Sequence, residues 1–183
     1  KIHILQNIYF KNKYFLKKKS YAMDGEDIAI CQYIENKEKG FYVDIGAHHP
    51  IHRNNTHLLF MKGWHGINID VNMFSIDLFK FLRPEDLNLL TAISDQDGEV
   101  TFYYQKKFSQ LNTTDKKIAN EHFQGKFKER TVKCRTIQNI LDQSRYKNRK
   151  IDFLNIDVEG AEMKVLETLN FKIYDPSLIC IEI

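Results

Sequence analysis

Carboxylates close three apolar runs of the sequence, and their type and spacing suggest a shared binding site. Asp44 ends the run in GFYVDIG, Asp70 ends GINID and Asp157 ends IDFLNID. Asp95 lies just past another run, LNLLTAIS. Each run predicts a buried strand, and ligands of open parallel sheets bind at the carboxyl ends of the strands. We therefore expect these four acids to converge on one crevice.

The turn after the first of these strands indicates which kind of ligand the crevice takes. Asp44 and Gly46 form a D-x-G turn, in which the glycine lets the backbone approach a ligand closely. Asp70, one helix later, stands where an acid accepts hydrogen bonds from the two hydroxyls of a ribose. A nicotinamide-dependent oxidoreductase would instead need a G-x-G-x-x-G turn for its pyrophosphate, which Asp44 would repel. The pattern favours a ligand with a ribose, a cationic amine and a sulfonium, such as S-adenosylmethionine.

Alternating strands and helices must position these residues, and the sequence predicts such elements. After a basic arm over residues 1–23, DGEDIAICQYIENK predicts a helix capped by Asp24, with Ile28, Cys31 and Ile34 along one side. The alternation indicates an α/β fold with a mostly parallel central sheet flanked by helices.

Further signals mark where the elements begin and end. Asn55 is predicted to cap a helix from His57 to Met61, and Arg83-Pro84 ends the helix after that. GEVTFYY predicts an antiparallel or edge strand. The polar stretch from Lys106 to Arg130 predicts a loop or lid, with a short helix around Lys117 to Phe123.

In order along the chain, seven segments resemble the FkbM family of S-adenosylmethionine-dependent methyltransferases. The combination of VDIGAHHP, GWHGINID and IDVEGAE is the most specific part of this resemblance. It implies a Rossmann-like class I methyltransferase domain over residues 24–183, whose sheet normally has seven strands. Because the fifth predicted strand, SLICIEI, ends the sequence, we expect the native chain to continue beyond Ile183. The segments are DGEDIAI, KGFYVDIGAHHP, NNTHLLFMKGWHGINID, RPEDLNLLTAISD, GEVTFYY, IDFLNIDVEGAE and LICIEI.

The resemblance also implies a cofactor site at the carboxyl edge of the sheet. Asp44 and Gly46 are expected beside the methionine part of S-adenosylmethionine, and Asp70 at its ribose hydroxyls. Ser94 and Asp95 occupy the place where such enzymes contact the adenine. The acceptor implied by the family is a hydroxyl of a sugar or related small molecule, as in polysaccharide or natural-product biosynthesis.

Catalytic residues are expected beside the cofactor. Glu26 should help to close the site, and Asp157 and Glu159 lie where related enzymes keep catalytic or metal-binding groups. An alcohol has a pKa on the order of 15.7, so a carboxylate of pKa about 4 cannot ionise it in advance. His48 or His49 would serve better as the base, as would Mg²⁺ bound by Asp157.

Three other functions fit parts of the sequence. The histidines of HHPIH suggest zinc, but no H-E-x-x-H helix accompanies them. Lysines between Lys11 and Lys19, and the basic run from Arg145 to Lys150, permit RNA methylation, yet no RNA-binding motif is present. A catalytically silent binding module on the same fold is the remaining alternative.

Composition bears on compartment and partners. The net charge is +3, and Cys31, Cys134 and Cys180 lie far apart without C-x-x-C spacing, which suits a reducing cytoplasm. No apolar run reaches the roughly 20 residues of a membrane span. Peripheral membrane contact through the basic arm and a saccharide partner are both expectations, whereas a nucleic-acid partner is not expected.

Overall fold

The computed structural model describes residues 1–34, 37–106 and 112–182. Its centre is a five-stranded sheet in which every neighbouring pair runs parallel. With strands numbered along the chain, this sheet contains β1 (Phe41–Ile45), β2 (His65–Asp70), β3 (Leu87–Leu90), β7 (Phe153–Ile156) and β8 (Leu178–Ile181). Their order is β3-β2-β1-β7-β8. The order reverses between β1 and β7, so a crevice opens at the carboxyl ends of these two strands.

A smaller sheet stands beside the first and contains β4 (Ala92–Ile93), β5 (Gly98–Tyr104) and β6 (Lys128–Arg135) in the order β4-β6-β5. The prediction that GEVTFYY forms an antiparallel edge strand is confirmed, because β5 lies at the edge of this sheet and pairs antiparallel with β6. The prediction of a single strand over LNLLTAIS is wrong. The strand divides at Thr91. Its N–H donates to the backbone carbonyl of Asp70 in β2, whereas its hydroxyl donates to the backbone carbonyl of Lys133 in β6.

Helices cover both faces of the parallel sheet. The Arg83-Pro84 stop is confirmed, because the helix before it ends at Leu82. The short helix expected near Lys117 to Phe123 is also present, displaced by one residue. The helices are α1 (Ile2–Leu5), continued by a π-helical turn (Gln6–Lys11), α2 (Glu26–Tyr33), α3 (His57–Met61), α4 (Met73–Leu82), α5 (Lys116–His122), α6 (Ile137–Asp142), α7 (Glu162–Glu167) and α8 (Phe171–Tyr174).

Two predicted helix caps are wrong. Gly25, with φ 92°, is the N-cap of α2, and Asp24 makes no side-chain cap there. Thr56 rather than Asn55 precedes α3, because the Asn55 amide donates to Asn155 Oδ1 across the sheet (2.9 Å). The Asn55 side chain therefore makes a hydrogen bond to a residue distant in the sequence instead of capping α3.

The inward face of α2 follows the prediction in part, since Cys31 and Ile34 pack against the core as expected. Ile30 is buried, whereas Ile28 is 38% exposed. Asp27 is buried as well and accepts hydrogen bonds from the Ser20 hydroxyl (2.6 Å) and the Tyr21 N–H (2.7 Å). This anchored carboxylate fixes which side of the helix faces the sheet.

Alternate residues of β1 enter different layers of the core. Val43 and Ile45 belong to a cluster with residues of α6 and α7, such as Ile140 and Val165. Tyr42 faces the opposite layer, beside Trp64. The side chain of Asp44 therefore points toward the same layer as Tyr42, by the two-residue period of a strand.

The predicted basic arm over residues 1–23 is largely helical at its start and is attached to the domain. Ile8 is fully buried in a cluster with Tyr21, Ile51 and Leu78. Within the described ranges, no helix is long and apolar enough to cross a membrane.

Candidate functional site

A crevice that is open to solvent lies at the carboxyl ends of β1, β2 and β7. Five of the ten predicted site residues line it, so the carboxyl-edge rule located the site. They are Gly46, His48, Asp70, Asp157 and Glu159.

Asp70 forms one wall of the crevice, and two backbone N–H groups hold its carboxylate. Oδ1 accepts from the N–H of Asn72 (2.6 Å) and Oδ2 from the N–H of His48 (2.8 Å). Burial raises the pKa of Asp70 to about 6, although these two hydrogen bonds oppose the rise. The group is therefore a fixed acceptor that is ionised at neutral pH.

Gly46 is needed for a reason that the sequence did not predict, while close approach of a ligand to it stays a prediction. Its φ is 78°, and an added Cβ would lie 1.6 Å from the backbone carbonyl oxygen of Asp157. The N–H of Asp157 also donates to the carbonyl of Ile45 (3.0 Å). The close approach that requires glycine is thus between the ends of β1 and β7.

Asp44 does not line the crevice but lies buried behind its wall. Its carboxylate accepts from the Thr56 hydroxyl (2.7 Å), the Asn54 amide (3.1 Å) and the Asn155 amide (2.9 Å). Burial raises the pKa of Asp44, and the hydrogen bond from Thr56 is the largest opposing effect. The structure therefore places Asp44 as a support for the first turn, and contact with a cofactor stays a prediction.

Arg83, which the sequence marked only as a helix stop, is fully buried and linked to this support. Its guanidinium donates to Thr56 Oγ1 (2.8 Å) and Asn54 Oδ1 (2.9 Å), the two residues that hold Asp44. The rings of Phe60 and Phe79 lie 4.9 Å and 5.0 Å from it. One buried cation thus faces one buried anion through shared hydrogen-bond partners.

A repeated N-I-D pattern was the missed signal for the rest of this network. Asn68 of GINID and Asn155 of FLNID both pair with Asp44 in the strand register. Since residues two apart in a strand share a face, each asparagine lies on the same side as the acid that follows it. The pattern predicts a polar row across three strands.

The two candidate histidines differ in position. His48 lines the crevice with φ 51°, and its pKa is lowered to about 4 by burial and by the charges of His52, Arg53 and Lys11. His49 is buried away from the crevice wall.

The contacts of His49 indicate a structural role. Its Nδ1 accepts from the N–H groups of Ile51 and His52 (3.0 Å each), and its Nε2 lies 2.7 Å from Asn7 Oδ1. Burial lowers the pKa of His49 to about 3. A neutral ring locked at both nitrogens cannot accept a proton in the crevice, so the structure does not support His49 as the base.

Asp157 and Glu159 meet a third acid, Glu182, which follows β8. Burial raises the pKa of Asp157 well above its ordinary value, and the hydrogen bond with Glu182 and its charge raise it further. Burial likewise raises the pKa of Glu159, whose carboxylate lies 3.7 Å from His122 Nδ1. The strand-end rule that identified Asp157 would also have identified Glu182.

The segment from Asn112 into α5 forms the wall opposite the parallel sheet. The Thr113 hydroxyl donates to the carbonyl of Glu159 (2.6 Å), and Thr113 pairs antiparallel with Tyr103. Asn112 lines the crevice, and within the described ranges its buried Oδ1 has no hydrogen-bond partner. The predicted lid therefore contributes to the site from Asn112 onward, while its residues 107–111 lie outside the described part.

Besides Asp44, three more residues predicted to bind the cofactor, Glu26, Ser94 and Asp95, are outside the crevice wall. Asp95 is exposed and accepts from the Ser94 hydroxyl (2.9 Å), and the wall near them is formed by Thr91, Ala92 and Ile93 instead. The Glu26 carboxylate accepts from the N–H of Asp24 (2.9 Å). The prediction for Ser94 and Asp95 missed the crevice wall by a few residues, because β3 and β4 were expected to form a single strand.

No group of three or more histidine, cysteine, aspartate or glutamate residues in the described ranges has the arrangement of a metal site. This statement covers the histidines of HHPIH and the acids around Asp157. The expected Mg²⁺ at Asp157 stays a prediction.

Comparison with known proteins gives one match. The model of the methyltransferase FkbM domain matches residues 44–183, which contain every crevice residue named above. Neither the curated proteins nor the solved structures give a significant match. Since the family model covers well over half of the sequence, the chain belongs to the FkbM methyltransferase domain family.

Proposed function

We propose that the chain is an S-adenosylmethionine-dependent O-methyltransferase that acts on a hydroxyl of a sugar or related small molecule. The observation that carries the proposal is the Asp70 carboxylate, fixed at the end of β2 in the wall of the crevice. The strand order and the helices on both faces support the finer description as a Rossmann-like class I domain. The saccharide acceptor rests on family resemblance.

The residues around the crevice fit the chemical groups of this cofactor. Asp70 offers two carboxylate oxygens to a ribose diol. Beside it, Val71, Ile93 and Phe102 provide an apolar surface suited to an adenine. Asp44, buried near the first turn, disfavours a pyrophosphate at that place by charge repulsion.

Methyl transfer to a hydroxyl asks the protein mainly for alignment and for removal of one proton. S-adenosylmethionine, when bound, supplies a methyl group that its sulfonium has already activated. The walls at Asp70 and Asn112 would orient the reactants and exclude water. The hydroxyl proton must pass to the protein as the new carbon–oxygen bond forms.

His48 is the residue that we propose takes this proton. It lines the crevice, and its lowered pKa of about 4 keeps the ring neutral at physiological pH. Because a base of this pKa cannot ionise an alcohol in advance, His48 would accept the proton only late in the step, as the carbon–oxygen bond forms. The raised pKa of Asp157 leaves that carboxyl protonated at neutral pH, with its single O–H directed to Glu182, so its other oxygen can accept a hydrogen bond from the acceptor hydroxyl. His48→Gln should lower kcat roughly a hundredfold while affinity for S-adenosylhomocysteine changes only a few-fold. An unchanged kcat would remove His48 from the mechanism, and inhibition by EDTA with rescue by Mg²⁺ would assign proton removal to a metal.

Calorimetric titration of the protein with S-adenosylhomocysteine and, separately, NAD tests the cofactor class. We expect binding of the first ligand and none of the second, and binding should also raise the melting temperature. Binding of NAD alone would overturn the proposal. Methyl transfer from S-adenosylmethionine to a panel of saccharides then tests the acceptor, with an RNA oligonucleotide as comparison. Transfer to the RNA alone would assign the alternative substrate, and binding without any transfer would support a silent module.

A further inference from the structure

The first 23 residues carry an unusual combination of charge and exposed apolar side chains. They contain six lysines and no aspartate or glutamate. Phe10 and Phe15 are 77% and 69% exposed, and Leu16 between the lysines is 47% exposed. A solvated charged face does not need large apolar side chains directed into water, so this surface suits a partner that is both apolar and anionic.

The exposed apolar side chains of this segment are not part of the hydrophobic core. The inward side of this segment is already packed, through the fully buried Ile8. Asn7 and Asn12 tie the segment to the domain by hydrogen bonds to the ring of His49 (2.7 Å and 3.2 Å). The outward side chains are therefore held on a fixed base.

This surface continues onto α4. The ring of Tyr9 meets the ring of Phe81 edge-on, with centroids 6.4 Å apart, and Phe81 is itself 42% exposed. The surface defined by residues 1–23 and Phe81 is called the basic-aromatic surface below.

We propose that the basic-aromatic surface docks the protein on an anionic lipid membrane. Aromatic and aliphatic side chains can enter the boundary between headgroups and acyl chains, while lysines beside them contact anionic headgroups. Each lysine near such a surface strengthens binding several-fold, and three of the lysines, Lys17 to Lys19, are consecutive. The absence of acids over residues 1–23 removes the repulsion that would oppose this contact.

Docking in this way would bring the crevice close to the membrane. Lys11 is near enough to His48, a residue of the crevice wall, for its charge to act on that ring. Lys11 and Lys18 act in the same way on His52. An acceptor carried at the lipid headgroups would then lie on the same side of the protein as the crevice.

Sedimentation of the 183-residue chain with lipid vesicles tests the proposal. The vesicles contain either phosphatidylcholine alone or equal parts phosphatidylcholine and phosphatidylglycerol. We expect binding to the anionic vesicles only, weakened by added salt. Phe10→Gln/Phe15→Gln and Lys17→Glu/Lys18→Glu/Lys19→Glu should each reduce binding at least about tenfold. Neither variant should change the melting temperature or the affinity for S-adenosylhomocysteine, because all five side chains are exposed.

A matched control separates local docking from net charge. Lys147→Glu/Lys164→Glu/Lys172→Glu changes the charge equally at exposed positions elsewhere, and it should bind anionic vesicles within about twofold of the original protein. Equal loss in this control, full binding by the Phe10/Phe15 variant, or equal binding to both vesicle types would each overturn the proposal. The proposal would also be overturned if the protein did not bind vesicles but formed a dimer, and if the Phe10/Phe15 variant were monomeric. The surface would then be an interface between two copies of the chain.

Discussion

At the scale of single residues, the sequence located the acids of the site but not the groups that hold them. Asp70 and Asp157 were predicted at the crevice, and both line it. The partners of Asp44 were missed, since Asn155 lies 111 positions away in the chain. Local patterns report which side chains end a strand, whereas hydrogen bonds between distant residues depend on the strand order.

Asp70 provides the most direct test at this scale. Asp70→Ala should weaken binding of S-adenosylhomocysteine at least tenfold, because hydrogen bonds to a charged group contribute about 1.5 to 3 kcal/mol each. Since the pKa of Asp70 is about 6, the affinity of the original protein should also fall as the pH drops below that value. Calorimetry at several pH values measures both effects.

Asp95→Ala is the matched control, because Asp95 is an exposed acid outside the crevice wall. Its affinity for S-adenosylhomocysteine should be unchanged. If both variants lost affinity equally, the original assignment of Asp95 to the adenine would be restored.

Substitution of Asn112 should affect the melting temperature and methyl transfer differently. Its Oδ1 is buried without a partner in the described part of the chain, and such an acceptor costs about 1 to 3 kcal/mol. Asn112→Ala should therefore leave the melting temperature unchanged or raise it by about 2 °C. The value of kcat/KM for methyl transfer should fall at least about fivefold, because a ligand loses this acceptor.

The control for Asn112 is Asn120→Ala, an exposed asparagine on α5. It should change neither the melting temperature nor kcat/KM. A lower melting temperature in Asn112→Ala with unchanged kcat/KM would show that Asn112 serves only the fold.

At the scale of elements, continuous apolar runs were enough to predict the parallel strands, because both faces of such a sheet are buried. The division of LNLLTAIS at Thr91 could not be predicted in this way. Both halves are apolar, and only their partners, β2 for the first and β6 for the second, distinguish them. The prediction that Asp24 caps α2 was wrong for a related reason. Gly25, with φ 92°, makes the turn into the helix through its backbone conformation, and no side chain caps the helix.

The junction between β1 and β7 can be tested with two glycines. Gly46 and Gly63 have similar backbone angles, φ 78° and φ 85°, but only Gly46 has neighbouring atoms where a Cβ would stand. Gly63→Ala should cost about 1 to 2 kcal/mol of unfolding free energy from the left-handed backbone alone. Gly46→Ala should cost at least about 2 kcal/mol more, because the Asp157 carbonyl must move.

Urea unfolding of both variants gives this comparison directly. The displaced Asp157 should also reduce methyl transfer in Gly46→Ala but not in Gly63→Ala. Equal losses of stability in the two variants would mean that the strand ends separate easily and that Gly46 is retained only for its backbone angle.

At the scale of the whole molecule, several acids meet at the carboxyl edge of the parallel sheet. Arg83 balances Asp44 through shared partners, but Asp157 meets Glu182, Glu159 and Asp44, all of the same sign. The fold thus keeps an acid in surroundings that favour its protonated form. Asp157 should therefore make stability fall with rising pH, whereas an acid with a lowered pKa in the folded state makes stability rise.

Stability should accordingly decline as the pH rises through the mildly alkaline range. The folded chain keeps the Asp157 proton, whereas the unfolded chain loses it near its ordinary pKa of about 3.9. The folded state therefore binds more protons, and its unfolding free energy falls with rising pH until the raised pKa is passed, by at most about 1.4 kcal/mol per pH unit. Between about pH 7.5 and 8.5, His48, His49 and His57 are neutral in both states, because burial lowers their pKa values in the folded chain below the ordinary value of about 6.5.

Urea unfolding across this range should show a negative slope for the original protein and a flatter one for Asp157→Asn. The asparagine has no proton to lose, and its amide can still donate a hydrogen bond to Glu182. Asp95→Asn, at an exposed acid, should keep the slope of the original protein. If the curves of all three proteins ran parallel, Asp157 would be ionised in the folded state, and it rather than His48 could then take the proton of the acceptor hydroxyl.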